Sequence, residues 1–272
     1  MNIFKPVQTF LRTFFLQGFW NYAQMQNIGM LFILLPSLKR IYKGDKEGLK
    51  RAIARNMEAF NSQPVMSAYS IGAMIQQEQK IAAALPFARP EEEREYRIIR
   101  VSAANTAASI GDRLFWATLK PLSLVVFFVI LFGGETQVFG EELPLHNIIF
   151  TVSFALIGSL LIYNVPAFVT RFKGLIDSYS GSENDFYGLI KINWNKLLYF
   201  LKTLGQIFTV FVIFYGLYIK FRGSAADIDS VTRLSLLAAF IVLGIVMKKL
   251  NMPGIILYIA ATGVFVAASL LA

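Results

Sequence analysis

The sequence predicts an all-α, polytopic membrane protein. Of its 272 residues 56% are hydrophobic, and the 25 phenylalanines outnumber the 17 acidic residues. The mean hydropathy is positive, which is unusual for a soluble domain. Several apolar runs approach the roughly 20 residues that a helix needs to cross a bilayer. We expect amphipathic and re-entrant helices in the N-terminal half, and about five transmembrane helices in the C-terminal half.

The charge and composition of the chain exclude several kinds of functional site. The formal net charge of +9 is concentrated beside the apolar runs, as in the cytoplasmic anchors of membrane proteins. We therefore expect a lipid bilayer as a partner and no nucleic acid. The absence of cysteine excludes disulfides, thiolate metal sites and a cysteine nucleophile. A single histidine, His146, cannot form a metal cluster by itself, and no cofactor is expected.

The first predicted element is an interfacial helix over residues 4–19. Its apolar side chains recur at near-helical spacing, whereas Lys5, Gln8 and Arg12 occupy other faces. No signal-peptide pattern is present here, so the segment is expected to remain in the mature protein. The next apolar run, residues 28–38, has about half the length of a membrane span, which favours a re-entrant or interfacial segment.

A basic stretch follows, with seven Lys or Arg residues and two acids between positions 39 and 55. Leu49 and Ile53 recur in it at a helical interval, which predicts a cytoplasmic amphipathic helix. Residues 76–100 are also polar, and their EEERE run predicts a second charged helix. None of these segments has the composition of a membrane span.

The chain is predicted to form one unit with two regions. Residues 1–110 are cytoplasmic, interfacial or re-entrant, and residues 111–272 are transmembrane. The first apolar segment of the second region contains Lys120, which costs about 2.5 to 3.5 kcal/mol at a membrane centre and should face protein or a wet cavity. The five segments of near-spanning length are 114–132, 147–169, 197–219, 231–247 and 253–271.

The distribution of charge predicts an orientation. The loop 133–145 carries three acids and no base, whereas basic residues follow the second and fourth apolar segments. Cytoplasmic loops are enriched in Lys and Arg. The N-terminus is therefore predicted to lie inside the cell inner (plasma) membrane and the C-terminus outside. The mixed stretch 220–233 fits this orientation less well, because its three basic residues would face out.

Several motifs occur in the order and spacing of one known family. They are FLQGFWNYAQMQNIGMLFILLPSLKRIY, FNSQPVMSAYSIGAMIQQEQ, IGDRLFWATLKP, IYNVPAFVTRFKG and the terminal VMKKLNMPGIILYIAATGVFVAASLLA. In these motifs the chain resembles the mannose/fructose/sorbose family IID component of the phosphotransferase system (PTS). The resemblance covers nearly the whole chain and is strongest over residues 15–80.

The resemblance implies a function in sugar transport. Such a subunit pairs with a IIC membrane subunit to translocate a hexose-type sugar, while separate cytoplasmic IIA and IIB phosphocarrier proteins phosphorylate the sugar. It is a non-catalytic subunit and is not itself phosphorylated. The sequence agrees, because His146 falls at the acidic loop predicted outside, away from a cytoplasmic phosphoryl relay.

The first candidate binding cluster lies just before the apolar half-span. Trp20, Asn21, Gln24 and Gln26 combine an aromatic ring with three amides. Such a mixture can stack on the face of a sugar and bond its hydroxyls. It can also form an interfacial aromatic belt with helix caps, and both interpretations stay open.

Two further clusters complete the candidate substrate-binding set. Asn61 and Gln63 precede Pro64, which ends the helical region and leaves the amides free to bond elsewhere, although an ordinary helix stop explains them equally well. Asp112 stands at the mouth of the first apolar segment, where an acid near the bilayer is costly and suggests function. Its alternative role is a helix N-cap. Glu78 is expected to be solvated.

The chain departs from the family pattern at two places. The family usually has glycines leading into Gly-Asp-Pro, where this chain has Asn105, Ser109 and Arg113. The family's Thr-Glu-Gly-Ala element is replaced by the apolar residues 198–201. These departures support an alternative, a divergent IID-like membrane interaction or regulatory protein that has lost sugar transport. A membrane enzyme is disfavoured, since no paired acids, nucleophile with base, phosphate loop or metal cluster is evident.

Overall fold

The computed structural model describes residues 5–84, 90–133 and 145–222, which are built from helices with two isolated β-bridges. The packing described below belongs to the compact unit Met1–Ile213. The helices are α1 (Pro6–Thr13), α2 (Asn27–Ile41), α3 (Lys46–Asn56), α4 (Ser67–Ala83), α5 (Pro90–Gly111), α6 (Lys120–Gly133), α7 (Leu145–Ser180) and α8 (Trp194–Arg222), with the π-helical segment Asp112–Leu119 joining α5 to α6.

Among the described residues, three helices are long and apolar enough to cross a membrane by length and composition. This confirms the prediction of an all-α protein of membrane type. The predicted segments 231–247 and 253–271 lie outside the described residues, so the number of crossings stays a prediction. The three helices are Glu91–Phe132, His146–Ser180 and Trp194–Gly216.

The N-terminal helix is shorter than predicted and is attached to a membrane-length helix. α1 ends at Thr13 rather than at residue 19, and the turns that follow bring Leu16 into the core. Phe10 of α1 packs edge-to-face against Phe172 of α7, with ring centroids 5.4 Å apart. The next residue, Leu11, points away from this contact and is 58% exposed, as expected for a helix at a membrane surface.

The predicted helix over positions 39–55 is broken in the structure. α2 ends at Ile41 and α3 begins at Lys46, because the turn between them contains Gly44 at a φ of +91°. Asp45 then caps α3, since its Oδ1 accepts a hydrogen bond of 2.8 Å from the Gly48 amide. The prediction of one continuous helix was therefore wrong at residues 42–45.

Small residues allow α4 to cross α7 at close range. A Cβ atom at Gly72 would lie 2.6 Å from the backbone nitrogen of Tyr179, and one at Gly174 would lie 2.8 Å from the ring of Tyr69. The hydroxyl of Ser178 donates to the carbonyl of Ala68 at 3.2 Å. Small residues four apart on both helices are typical of tight packing between membrane helices. This crossing joins the N-terminal part of the chain to a membrane-length helix.

The predicted division between residues 110 and 111 falls within the continuous run of α5, the π-helical segment and α6. The division itself stays a prediction. Lys120, which was expected to avoid lipid, is exposed in this chain and lies over the ring of Trp116, with its Nζ 5.0 Å from the centroid. Aromatic rings stabilise cations at this distance.

Candidate functional site

The polar segments that carry the candidate residues meet in the structure. Residues 20–26 form a tight turn closed by a bridge between Asn21 and Met25, and Met25 pairs in turn with Phe60. The backbone nitrogen of Gln26 donates to the Phe60 carbonyl at 2.8 Å. Residues distant in sequence are therefore joined at one site, which we call the loop junction and define as residues 20–27, 57–63 and 111–112.

Gln26 is buried and fastens the two loops of the junction together. Its Nε2 donates to the carbonyl of Ser62 at 3.0 Å, and its Oε1 accepts from the backbone nitrogen of Ser62 at 3.0 Å. The Ser62 hydroxyl donates to the carbonyl of Ala104 in α5 at 3.0 Å. Because both ends of the Gln26 amide are used within the protein, this side chain positions the loops.

Asn27 belongs to the same junction and was missed by the sequence analysis. Its Nδ2 donates to the Met57 carbonyl at 2.7 Å, and its Oδ1 accepts from Asn21 Nδ2 at 2.9 Å. Only 2% of Asn27 is exposed, so these bonds replace bonds to water. Its position directly after three other amides was the available signal.

Gln63 is buried at the start of α4 and lies against the end of α5. Its Oε1 accepts hydrogen bonds from the backbone nitrogens of Val65 and Met66, at 2.8 and 2.9 Å. A Cβ atom at Gly111 would lie 2.6 Å from the Cβ of Gln63. Glycine at position 111 therefore permits the close approach that places the loop 61–63 beside Asp112.

Asp112 is exposed and begins the π-helical segment. The preceding residue, Gly111, has helical torsion angles, so the helix continues through this position and the N-cap interpretation of Asp112 is wrong. Within the described residues no salt bridge involves its carboxylate. Single π-helical turns inside α-helices are frequent at functional sites.

The exposed side of the junction is aromatic and polar. Trp20 is 47% exposed and packs edge-to-face against Tyr22, which is 91% exposed, with ring centroids 4.8 Å apart. Gln24 is exposed in the same turn, and Asn61 is exposed in the second loop of the junction. Asn21 is half-buried, and its Oδ1 accepts a hydrogen bond of 2.8 Å from the backbone nitrogen of Gln24. Met25 has a φ of +61°, in the left-handed region that non-glycine residues rarely adopt. Rings and free amides are the groups that bind sugars or polar partner surfaces.

The expectation that Glu78 is solvated was wrong, because Glu78 is fully buried. It pairs with Arg55 at 2.7 Å, where the side chains are 0% and 4% exposed. Its carboxylate also accepts from Tyr42 and Asn56, both at 2.8 Å. Tyr96 completes this buried network, since its hydroxyl donates to Asn56. Arg55 and Asn56 belong to α3, Tyr96 to α5, and Tyr42 follows the last residue of α2, so Glu78 of α4 joins these elements in one network.

Burial and the nearby Glu78 carboxylate raise the pKa of Tyr42 well above its ordinary value, so its hydroxyl stays protonated and donates. Burial alone would lower the pKa of Arg55, but the hydrogen bond and charge of Glu78 outweigh it and raise the pKa. Arg55 therefore keeps its positive charge throughout the physiological range.

The polar run at positions 76–80 is explained by a second set of contacts. Gln76 donates to the carbonyls of Tyr179 and Gly181, the latter at 2.8 Å. Lys80 pairs with Glu183 in the connection between α7 and α8. That hydrogen bond from Lys80 is the largest cause of the lowered pKa of Glu183. These residues attach α4 to the α7–α8 connection.

His146 is exposed near the start of α7. Within the described ranges, no group of three His, Cys, Asp or Glu residues comes together in a way that could hold a metal ion.

Comparison with known families gives one match that covers most of the chain. The family model for the PTS system mannose/fructose/sorbose family IID component matches residues 5–221. This range includes every residue of the loop junction and of the buried Glu78 network.

Individual relatives are more distant. The mannose-specific EIID component of Escherichia coli is 29% identical over 174 residues, which are 63% of this chain and 53% of that protein. The sorbose-specific EIID component of Lacticaseibacillus casei is 26% identical over 176 residues, 64% of this chain and 58% of the relative. The matches therefore span only about half the length of these curated relatives.

Two solved structures share the fold. A chain from a cryo-electron microscopy structure of the mannose transporter ManYZ in complex with a microcin has a TM-score of 0.51 and 21% identity, covering 97% of this chain and 95% of that one. A structure described as a membrane protein has a TM-score of 0.62 and 21% identity, covering 100% and 98%.

Proposed function

The chain belongs to the mannose/fructose/sorbose family IID components of the PTS, and on this premise we propose that it is one membrane subunit of a sugar permease. It pairs with a IIC subunit and takes part in moving a hexose-type sugar across the inner (plasma) membrane. Separate cytoplasmic IIA and IIB proteins supply the phosphate, and this chain has no catalytic role. The observation that carries the proposal is the loop junction, in which three family motifs meet.

The candidate residues of the loop junction fall into two groups with different roles. The amides of Asn21 and Gln26 and the amide oxygen of Gln63 bond groups within the protein, so these side chains position the loops. Trp20, Asn61 and Asp112 keep exposed side chains at the same junction. We infer that these exposed groups, together with Gln24, contact the sugar or the surface of the IIC subunit that encloses it. The ring of Trp20 would stack, and the amides and carboxylate would bond hydroxyls.

One observation favours the regulatory alternative. In the segment that replaces the family's polar element, Leu198 is buried, but Tyr199 and Phe200 are 75% and 61% exposed on α8. Exposed aromatic side chains on a membrane helix fit contact with lipid or with a partner helix rather than with a sugar. A chain that had lost transport would still need such contacts.

Sugar transport and pairing with a IIC subunit can be tested together. We expect a tagged chain purified from its native membrane to bring a IIC subunit with it, and phosphorylation-coupled uptake of labelled mannose, fructose, sorbose or an amino sugar to require the chain. Uptake is compared in cells that carry the full gene set and in cells that lack only this chain. Co-purification of IIC with unchanged uptake of every sugar in the deletion strain would favour the regulatory alternative.

The orientation is also a proposal, with the N-terminus inside and the C-terminus outside. The chain has no native cysteine, so single reporters can be introduced at Glu47, which is exposed in α3, at Gln137 in the acidic loop and at Ser269. A membrane-impermeant thiol reagent should label Gln137→Cys and Ser269→Cys in intact cells, but Glu47→Cys only after lysis. Labelling of Glu47→Cys in intact cells would reverse the orientation.

A further inference from the structure

A groove between α6 and α8 is not used by the loop junction. Its volume is about 480 Å³, and its walls come from residues 117–125 on one side and 201–210 on the other. A Cβ atom at Gly205 would lie 3.7 Å from a methyl group of Leu122, so the two helices approach each other midway along it. Both walls lie in helices long and apolar enough to cross a membrane.

One end of the groove is polar and positively charged. Lys202 and Gln206 lie one helical turn apart on α8 and both line it. On the opposite wall, the hydroxyl of Thr118 is already donated to the Arg113 carbonyl at 2.7 Å. Pro121 has no backbone N–H, so it donates no hydrogen bond to the preceding helical turn. No acidic side chain lines the groove in the described part of the chain, so the charge of Lys202 has no counter-charge there.

The other end of the groove is apolar. Val125 of α6 and Val210 of α8 line it, beyond Leu122. Thr209 also lines this end, but its hydroxyl already donates to the Gly205 carbonyl of its own helix at 2.7 Å. Eight residues separate Lys202 from Val210, which is about 12 Å along a helix. Lys202 lies the same distance from Trp194, where α8 begins. The long lysine side chain can therefore reach the near membrane surface, while the apolar end points towards the membrane interior.

We propose that this groove binds one anionic diacyl phospholipid of the cytoplasmic leaflet. The phosphate contacts the Lys202 ammonium and the Gln206 amide, and an acyl chain lies along Leu122, Val125 and Val210. An elongated ligand with a negative charge at one end and a hydrocarbon chain at the other matches the groove, whereas a free hexose has neither. The inference rests on the membrane location and orientation proposed above, but not on sugar transport.

The test measures lipid binding directly. The purified full-length chain is delipidated in a neutral detergent and titrated with dioleoyl phosphatidylglycerol or dioleoyl phosphatidylcholine, and bound lipid is counted by native mass spectrometry. We expect one phosphatidylglycerol molecule to bind at least about fivefold more tightly than phosphatidylcholine, because one lysine near an anionic lipid increases the affinity by about that factor. Lys202→Gln should abolish this difference. Lys196→Gln, an exposed lysine of the same helix outside the groove, should preserve it.

A second variant tests the shape of the groove separately from its charge. Gly205→Leu places a side chain in the groove without removing the cation, and its Cβ makes only an ordinary contact with Leu122. It should weaken the binding of both lipids. Equal affinity for the two lipids in the unmodified chain, or a preference that survives Lys202→Gln, would overturn the proposal. Loss of the bound phosphatidylglycerol when a IIC subunit is present would also overturn it, by making the groove a subunit interface. None of these readouts depends on uptake.

Discussion

Replacing Glu78 by alanine is expected to destabilise the folded chain by about 3 to 5 kcal/mol. The substitution leaves the buried Arg55 guanidinium without its closest carboxylate and removes an acceptor from Tyr42 and Asn56. Arg55 keeps a second pair, with the partly exposed Glu93 at 3.0 Å, but its Nε and Nη2 lose the buried carboxylate that they donate to. A buried charge that has lost its buried partner costs more than removal of the whole pair. Thermal unfolding of the detergent-solubilised protein, followed by the loss of monodisperse material, measures the effect.

Matched variants distinguish a buried charge from a missing contact. Arg97→Ala breaks an exposed ion pair with Glu58, whose side chains are 51% and 39% exposed, and it should cost less than about 1 kcal/mol. The double variant Arg55→Met with Glu78→Leu removes both charges and should recover much of the lost stability. If Glu78→Ala unfolds at the same temperature as Arg97→Ala, the buried ion pair does not stabilise the junction of α3 and α4.

At the loop junction, Asn61→Ala and Asp112→Asn are expected to weaken sugar uptake without unfolding the chain. Both side chains are exposed, so the substitutions leave no buried group unpaired. Loss of one hydrogen bond in a site enclosed by ligand and partner costs about 1 to 3 kcal/mol, or roughly 5-fold to 150-fold in affinity. The measurement is the concentration dependence of phosphorylation-coupled uptake in cells that carry the full gene set.

Gln26→Ala should act differently, because it leaves the backbone groups of Ser62 unpaired inside the protein. We expect a loss of stability of about 1 to 3 kcal/mol and reduced uptake in proportion to the folded protein that remains. Asn195→Ala at the exposed start of α8 is the matched control, and it should change neither quantity. Unaltered uptake in both Asn61→Ala and Asp112→Asn would remove these residues from the sugar route.

The two hydrogen-bond networks around α4 give this helix a central place in the compact unit. One end of α4 is tied to α2, α3 and α5 through Glu78, and its small residues cross α7 at Gly72. Gln76 and Lys80 attach it to the α7–α8 connection. A charge buried in α4 is thus linked by direct contacts to helices of membrane-spanning length. We expect substitutions there to disturb the whole compact unit rather than a local surface.

The sequence by itself determined the membrane character, the helical class and the family. These follow from properties that are local or summed along the chain: hydrophobic runs of spanning length, helical periodicity, and motifs of fixed order. The candidate positions at 20–26, 61–63 and 112 were also evident, because polar residues beside apolar runs stand out in any reading of the chain.

Only the tertiary structure decided which polar residues are buried and what they bind. Glu78 lies in a polar run and was expected to be solvated, yet its partners Arg55 and Tyr42 are 23 and 36 positions away. Gln26 likewise finds Ser62 at a separation of 36. The sequence does not distinguish a free side-chain amide from one that is buried and fully hydrogen-bonded, because both are the same residue type in the same kind of local sequence. Their roles differ because burial makes an unpaired polar group costly, and the pairing is set by distant parts of the fold.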